Sequence, residues 1–312
     1  MILKVGTRGS KLSRMQTDAF LRNLKAVHPD VEFQVEIIKT LGDKERGKPL
    51  FTIDCKGIFE KEIDQAIERG EVDFAVHSLK DVPIVDFTER QTTIAAIPKR
   101  ASQHDVLISK GNVPLKALAK GAVIGTGSLR RMAQVKFLRP DLEVKPIRGN
   151  VDTRIRKVKK GEFDGVILAE AGLERMGLER EIAERFSLET FPSAAGQGAL
   201  AIVTRNDAEN VMKILRAVDH ASTRAEVTAE RSLVLHLEGG CRVPIGAVGL
   251  ADGGALSLQG CIFSLDGQKR LSAFAEGTVD EAQALGAQVA QSLLGQGAKD
   301  LEKEWREKYG VW

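Results

Sequence analysis

The chain has 312 residues, 43% of them hydrophobic and 29% charged, which is typical of a folded protein with two or three domains. A net charge of +3 and an aromatic content of 5% argue against an intrinsic nucleic-acid-binding function. Three widely spaced cysteines (Cys55, Cys241 and Cys261) exclude the usual zinc spacing and a disulfide framework, so no metal site is expected. Because no secretion signal, transit peptide or long apolar run is recognisable, we expect a cytoplasmic protein without a membrane span.

The first two-thirds of the chain alternates between strand and helix patterns. The first set of predicted elements comprises strands at 2–7, 31–40 and 72–77 and helices at 11–27 and 58–69. The second set comprises strands at 122–125, 144–147 and 165–169 and helices at 128–138, 151–160 and 171–176, with 98–114 as a connection. This order predicts two α/β domains with parallel strands and helices on both faces.

The last third of the chain has a different order of elements. A helix at 225–237 is followed by strands at 245–250, 255–263 and 270–277 and by a helix at 281–308. This order predicts a small antiparallel sheet with helices on one face, and therefore a third domain of the α+β class.

Arginines follow small residues at three predicted strand ends. The segments are GTRGS at 6–10, GTGSLRR at 125–131 and IRGNVDTR at 147–154. Helix N-termini and bidentate arginines both suit carboxylate or phosphate ligands, and strand ends of open α/β sheets point into the ligand crevice. For any one of these segments taken alone, the arginines can also be interpreted as exposed charges at helix ends without a ligand.

Polar residues follow a buried strand in the segment FAVHSLKDVP at 74–83. Asp81 would be a single carboxylate in a cationic crevice, where it could hold N–H donors or stabilise a cation formed in a reaction. A turn cap before Pro83 is an equally good interpretation. His77 fits a structural role better than a catalytic one.

Cys241 lies in the turn LEGGCRVPIG at 237–246. The neighbouring Arg242 favours a thiolate, but a cysteine nucleophile usually needs a histidine base, and none is evident nearby. The residue is therefore a covalent attachment point, a nucleophile or a small buried hydrophobe.

The glycine-rich segment at 191–200, which contains Gln197, is either a plain hinge or a close backbone approach to a ligand.

Together these segments resemble the hydroxymethylbilane synthase (porphobilinogen deaminase) family. The matching pieces occur in family order and are TRGS at 7–10, KGIF at 56–59, AVHSLKDVP at 75–83, GTGSLRR at 125–131, RGNVDTR at 148–154, GQGA at 196–199 and EGGCRVPIG at 238–246. The segment at 42–58 departs from the family pattern, because Asp54 and Cys55 stand where Gly-Gly is common.

The resemblance implies two periplasmic-binding-protein-like α/β domains that flank a cleft, and a small C-terminal α+β domain with a three-stranded antiparallel sheet. Domain 1 would comprise 1–98 and 197–217, the inserted domain 2 would comprise 103–192, and domain 3 would comprise 221–312 and carry the cofactor cysteine. The protein is expected to be a monomer.

The resemblance also implies the chemistry. A transferase of haem biosynthesis would add four porphobilinogen molecules, each with loss of ammonia, to a dipyrromethane cofactor, and then release hydroxymethylbilane by hydrolysis. Cys241 would hold the cofactor through a thioether, and Asp81 would be the catalytic residue. The further cofactor-binding residues implied are Lys80, Asp81, Thr126, Ser128, Arg130, Arg131 and Gly149. The substrate-binding residues implied are Arg8, Ser10, Arg148, Arg154 and Gln197.

Two other classes of protein stay open on the residues alone. Bilobed α/β proteins with arginine-lined clefts also bind anions without chemistry, although a third domain with a cysteine loop has no evident use there. A hydrolase with a cysteine nucleophile is the weaker alternative, because no base is evident.

Overall fold

The computed structural model describes residues 1–40, 60–84, 91–237 and 243–310. Its strands are β1 (Ile2–Arg8), β2 (Glu32–Ile38), β3 (Phe74–Ser78), β4 (Thr92–Ala96), β5 (Asp105–Ser109), β6 (Val123–Gly125), β7 (Glu143–Lys145), β8 (Gly165–Ala169), β9 (Glu184–Arg185), β10 (Leu200–Arg205), β11 (Ile245–Asp252), β12 (Ala255–Phe263) and β13 (Arg270–Thr278). Its helices are α1 (Lys11–Val27), α2 (Lys61–Glu68), α3 (Leu129–Leu138), α4 (Val151–Lys159), α5 (Glu170–Met176), α6 (Glu209–Arg216), α7 (Ala221–His236), α8 (Ala282–Gly295) and α9 (Ala298–Tyr309).

The described residues form two compact units. The first unit contains 1–40, 60–84, 91–101 and 198–224, and the second contains 102–197, 225–237 and 243–310. The division into three domains that the resemblance implies stays a prediction.

A five-stranded sheet in the order β2-β1-β3-β10-β4 is the centre of the first unit. β1 is parallel to β2 and β3, whereas β10 is antiparallel to β3 and β4. Helix α1 begins where the Ser10 hydroxyl accepts a hydrogen bond from the Ser13 N–H, which satisfies one of the free donors of the first turn. Its apolar side, which includes Phe20 and Leu24, packs on Phe74 of β3 in one core cluster.

The second unit contains a sheet with the same arrangement, in the order β7-β6-β8-β5-β9. β6 is parallel to β7 and β8, and β5 runs antiparallel to β8. Because of these directions, the ends of β6, β7 and β8 meet the beginning of β5 at one edge of the sheet. Helix N-termini and polar residues follow at that edge.

The C-terminal part of the second unit is a three-stranded antiparallel sheet in the order β11-β12-β13. Its helices pack on it through buried apolar residues: Trp305 of α9 is fully buried and donates from Nε1 to the Phe263 carbonyl at 2.8 Å. The same cluster contains Leu129 of α3 and Cys261 of β12. The core of the C-terminal sheet is therefore continuous with the helix that follows GTGS.

The predicted fold class is confirmed, with α/β units and a C-terminal three-stranded antiparallel sheet. Three details of the prediction are wrong. The connection at 98–114 contains the buried strand β5, and antiparallel β5 and β10 make both five-stranded sheets mixed rather than parallel. The helix expected at 281–308 is two helices, because Gly297 adopts a left-handed backbone conformation (φ +96°) between them. No helix in the described ranges is long and apolar enough to cross a membrane.

Candidate functional site

The first unit brings two of the predicted segments together in one pocket. Because β1 and β3 are parallel, their last residues Arg8 and Ser78 lie at the same edge of the sheet. A polar pocket opens at this edge, and we call it the Asp81 pocket. Its polar lining residues are Arg8, Ser10, Ser13, Gln16, Glu60, His77, Ser78 and Asp81.

Asp81 is presented by a rigid turn at the end of β3. Residues Leu79–Asp81 form one 3₁₀ turn, in which Leu79 is fully buried and donates its N–H to the Ala199 carbonyl at 3.0 Å. The side chain of Asp81 is exposed, and that of Lys80 is half-buried. A carboxylate on a fixed turn at a pocket is suited to binding N–H donors of a ligand.

His77 is a buried neutral group. Burial, together with the positive charge of Arg8, lowers the pKa of His77 to about 4. Its Nε2 lies 3.8 Å from Oδ1 of Asp64, and only 4% of its side chain is exposed. These features agree with the structural role that the sequence favoured for this histidine.

Glu60 is a residue of the Asp81 pocket that the sequence reasoning missed. It immediately precedes α2 and is 3% exposed. Burial and the negative charges of Asp81 and Asp64 raise the pKa of Glu60 to about 9, although Arg8 opposes the shift. Glu60 is therefore a neutral carboxylic acid at pH 7.

The second unit presents GTGSLRR at the start of α3. Ser128 is the residue before the helix and its hydroxyl accepts from the Arg131 N–H, while Oγ1 of Thr126 accepts from the Ser128 N–H at 3.2 Å. A hydroxyl that accepts a bond can still donate its own proton to a ligand. The predicted positions Thr126 and Ser128 thus lie side by side at the edge of the sheet.

Arg130 and Arg131 are both engaged with a carboxylate of the protein itself. Nε and Nη2 of Arg131 donate to Oδ1 of Asp105 at 3.0 and 2.7 Å, and Nη1 of Arg130 lies 2.8 Å from Oδ2. The two arginines are 5% and 7% exposed, and Asp105 is fully buried. Burial alone would raise the pKa of Asp105, but the two guanidinium charges outweigh it and hold that pKa far below its usual range.

Gly149 and Arg154 lie at the start of α4. Gly149 has φ +113°, a backbone conformation that favours glycine. A Cβ atom there would also lie only 2.8 Å from Cγ2 of Thr153, so both the backbone and the packing disfavour a side chain. Its carbonyl accepts from Nε of Arg154 at 2.8 Å. Burial and the positive charges of Arg131 and Arg148 lower the pKa of Arg154 to about 10. Three arginines are therefore close enough to repel one another, and a bound anion would relieve that repulsion.

Gln197 belongs to a buried hydrogen-bond network. Its Nε2 donates to the Gln103 carbonyl at 2.7 Å and to Oδ1 of Asp105 at 2.9 Å. Nε2 of Gln103 donates to the Gly249 carbonyl on β11 at 3.1 Å. Gln197 is fully buried. Through Gln103, its hydrogen bonds connect the arginine–aspartate group to the C-terminal sheet.

Glu230 is a second buried anchor of the same region. Its carboxylate accepts the Gly196 N–H at 2.7 Å and the Gly249 N–H at 2.9 Å. Gly196 has φ +74°, a conformation that favours glycine. Gly196, the first residue of GQGA, is therefore fixed to β11, the strand that follows the cysteine turn in sequence.

Some sequence predictions fall outside the described residues. These are Cys241 with Arg242, and the segment at 42–58 with Asp54 and Cys55. Cys261 is described: it is fully buried in β12, and burial raises its pKa to about 11, which suits an unreactive thiol. Among the described residues, no cluster of histidine, cysteine and acidic side chains could hold a metal ion.

Asp105, Gln103, Glu230 and Glu60 were missed by the sequence reasoning. A weak signal exists for Asp105, because a charged residue begins the apolar run VLI at 106–108. The other three stand within ordinary polar stretches. Only folding places Glu60 in the Asp81 pocket and brings Gln103 and Glu230 to Gln197 and Gly196.

Two family models match the chain. The model described as "Porphobilinogen deaminase, dipyromethane cofactor binding domain" matches residues 3–213, and "Porphobilinogen deaminase, C-terminal domain" matches 224–295. A relative named "Probable porphobilinogen deaminase" from Nitrosopumilus maritimus is 44% identical over 99% of this chain and 98% of its own. The "Porphobilinogen deaminase" of Brevibacillus brevis is 45% identical over 96% of each chain.

Solved structures give a more distant likeness. A YaeC-family lipoprotein from Enterococcus faecalis has a TM-score of 0.42 at 14% identity and covers 70% of this chain and 90% of its own. A periplasmic binding protein from Salmonella typhimurium with high arginine specificity has a TM-score of 0.40 at 14% identity, with coverage of 70% and 91%. At this level the likeness carries no functional inference.

Proposed function

Because the chain belongs to the porphobilinogen deaminase family, we propose that it joins four porphobilinogen molecules head to tail and releases the product hydroxymethylbilane with water. In each condensation a C–C bond replaces the C–N bond of the aminomethyl group. The amine leaves as ammonia, and the α-hydrogen of the attacking pyrrole leaves as a proton. The enzyme is a transferase of tetrapyrrole biosynthesis, and its family cofactor is dipyrromethane.

The residues of the second unit fit a cofactor that carries several carboxylates. Arg131, Arg148 and Arg154 crowd positive charge at the start of α4, and Thr126 and Ser128 add hydroxyl groups at the neighbouring strand end. When bound, dipyrromethane supplies the terminal pyrrole to which the first substrate is joined. Thr126, Ser128 and Gly149 would hold its carboxylates directly. Arg130 and Arg131, whose guanidinium groups are bound to Asp105, would attract the carboxylates through their charge. Lys80 of the first unit is proposed as a further ligand.

Asp81 is proposed as the catalytic residue. Its carboxylate would accept hydrogen bonds from pyrrole N–H groups and so stabilise the positive charge that develops when ammonia leaves. It is also suited to accept the proton that the attacking pyrrole loses. The observation that carries this proposal is the Asp81 pocket, which joins an exposed carboxylate on a fixed turn to Arg8 and Ser10.

Arginines are proposed to neutralise the substrate without reacting with it. Porphobilinogen carries an acetate and a propionate, so a growing chain accumulates negative charge. Arg8 and Ser10 would bind substrate carboxylates in the first unit, and Arg148 and Arg154 would do so in the second. Gln197, which is fully buried, would support substrate binding through its hydrogen bond to Asp105. A guanidinium suits this task because it binds a carboxylate through two parallel hydrogen bonds and keeps its charge.

Cys241 is proposed as the attachment point of the cofactor, through a thioether. The test is intact-protein mass spectrometry of denatured wild-type and Cys241→Ser protein, before and after brief exposure to porphobilinogen. Wild-type protein should exceed its sequence mass by one dipyrromethane and then gain a ladder of one-pyrrole steps. Cys241→Ser should show neither, while Cys261→Ser, the matched control, should keep both.

An anion-binding module is the alternative that this experiment distinguishes. A wild-type protein of bare sequence mass that stays unchanged after prolonged incubation with porphobilinogen would contradict the proposed function. The cytoplasmic location and the monomeric state are also proposals, which cell fractionation and light scattering would test.

A further inference from the structure

Glu60 is held firmly at the wall of the Asp81 pocket. Its carbonyl accepts the N–H groups of Ile63 and Asp64, both at 2.8 Å, so its main chain is fixed by the first turn of α2. Only 3% of the residue is exposed, and it lines the pocket together with Asp81. An acidic side chain is rarely buried to this degree without a partner.

One side-chain oxygen of Glu60, Oε2, is buried and forms no hydrogen bond with any of the described residues. A buried polar atom without a partner costs free energy, so such an atom in a pocket indicates a place where a ligand atom belongs. The proposed function supplies a ligand with carboxylate oxygens.

The charged neighbours of Glu60 keep its proton in place. Burial is the largest cause that raises the pKa of Glu60, and the negative charges of Asp81 and Asp64 add to it. Together they raise this pKa to about 9, although the positive charge of Arg8 opposes the shift. His77, the remaining titratable group of the pocket, is neutral at pH 7 because its pKa is lowered to about 4. Glu60 therefore presents an O–H group, which donates, rather than a carboxylate, which would repel an anion.

We propose that Glu60 is a substrate-binding residue whose protonated carboxyl group donates a hydrogen bond to a carboxylate oxygen of porphobilinogen in the Asp81 pocket. The inference rests on the proposed function and adds a neutral donor to the arginine and hydroxyl donors already assigned. A hydrogen bond from O–H to a carboxylate is short and charge-assisted. It therefore recognises the anion without adding a further positive charge beside Arg8.

Two variants of Glu60 test the proposal through steady-state kinetics with porphobilinogen. Glu60→Gln keeps a neutral donor, whereas Glu60→Met keeps the length of the side chain and removes the donor. Glu60→Met should raise KM about tenfold, with a smaller change in kcat. Tenfold is the factor that corresponds to the loss of one hydrogen bond of about 1.4 kcal/mol. Glu60→Gln should keep KM within about threefold at pH 7. The matched control is Glu68→Gln, at an exposed position of α2, the helix that follows Glu60; it should change neither constant.

The pH dependence separates this role from a purely structural one. In wild-type protein KM should rise above pH 9, where Glu60 loses its proton and gains a repelling charge; in Glu60→Gln that rise should be absent. Ionisation of the substrate or of other residues would affect both proteins equally. A wild-type KM in Glu60→Met, or a rise above pH 9 that persists in Glu60→Gln, overturns the proposal. Failure of the proposed function itself is recognised separately, because wild-type protein would then show no turnover at all.

Discussion

Arg131 donates two hydrogen bonds, from Nε and Nη2, to the same oxygen of Asp105 inside the second unit. Its Nη1 is used as well, since it donates to the Ile167 carbonyl at 3.0 Å. The guanidinium that the sequence suggested as a free ligand for anions is thus a fixed part of the protein. Its charge still acts on the site, because it lowers the pKa of Arg154.

Replacing Asp105 should strongly destabilise the protein. Asp105→Asn leaves Arg130 and Arg131 buried without a negative charge, so the free energy of unfolding should fall by about 3–5 kcal/mol in a urea titration. The control is Asp141→Asn, which breaks a partly exposed pair with Arg139 and should cost no more than about 1 kcal/mol. Equal losses in the two variants would contradict the role assigned to the buried pair.

Replacing Asp81 should remove activity and leave the fold. Asp81→Ala should lower turnover of porphobilinogen by at least about a hundredfold, because the developing positive charge loses its carboxylate. Its melting temperature should stay close to that of the wild type, since the side chain is exposed. Asp18→Ala, at an exposed position of α1, should keep full turnover. Near wild-type turnover in Asp81→Ala would exclude Asp81 as the catalytic residue.

Replacing Arg154 should weaken substrate binding without a comparable loss of stability. Arg154→Met removes one of three mutually repelling cations, so the free energy of unfolding should change by less than about 1 kcal/mol. KM for porphobilinogen should rise about tenfold or more if a carboxylate contact is lost. The comparison variant is Arg156→Met on the same helix, whose side chain is 62% exposed. An unchanged KM in Arg154→Met would remove it from the substrate-binding set.

Glu60→Gln should stabilise the protein in a pH-dependent manner. The pKa of Glu60 is raised from 4.5 to about 9 on folding, so the folded state holds a proton that the unfolded state releases above pH 4.5. Relative to Glu60→Gln, the free energy of unfolding of the wild type is therefore highest below pH 4.5. This relative free energy falls as the pH rises toward 9, by about 1.4 kcal/mol for each pH unit. In urea titrations, the advantage of Glu60→Gln over the wild type in free energy of unfolding should be about 2–4 kcal/mol larger at pH 8 than at pH 5. A difference independent of pH would mean that Glu60 is ionised in the folded state.

Patterns within short stretches of sequence were enough to predict most helices and the strand ends that carry the site. Helix α1 and strands β8 and β12 have the predicted bounds, because apolar periodicity and glycine or polar boundaries are local properties. The GTGSLRR segment was correctly placed at the start of a helix for the same reason.

The contacts that set the charge of the site could not be predicted in this way. Asp105 meets Arg131 across 26 residues of sequence, and only because β5 pairs antiparallel with β8. The protonated state of Glu60 depends on burial and on Asp81, 21 positions further along, so no local pattern indicates it. β5 itself was missed because its five residues lack the alternation of a half-buried strand: all of them are buried.

The bonds of Glu230 limit which parts of this chain can be exchanged with those of other proteins. Residues 225–310 contain their own three-stranded sheet, which makes them a natural segment to transplant into a chimaera. Yet Glu230 lies in that segment, and its carboxylate is the acceptor for the N–H of Gly196 in the other part of the chain. A transplanted segment without an acid at this position would leave that N–H buried without an acceptor, at a cost of about 1–3 kcal/mol. Compatibility at one glutamate, rather than overall similarity of the sheets, would therefore decide whether such a hybrid keeps its glycine segment in position.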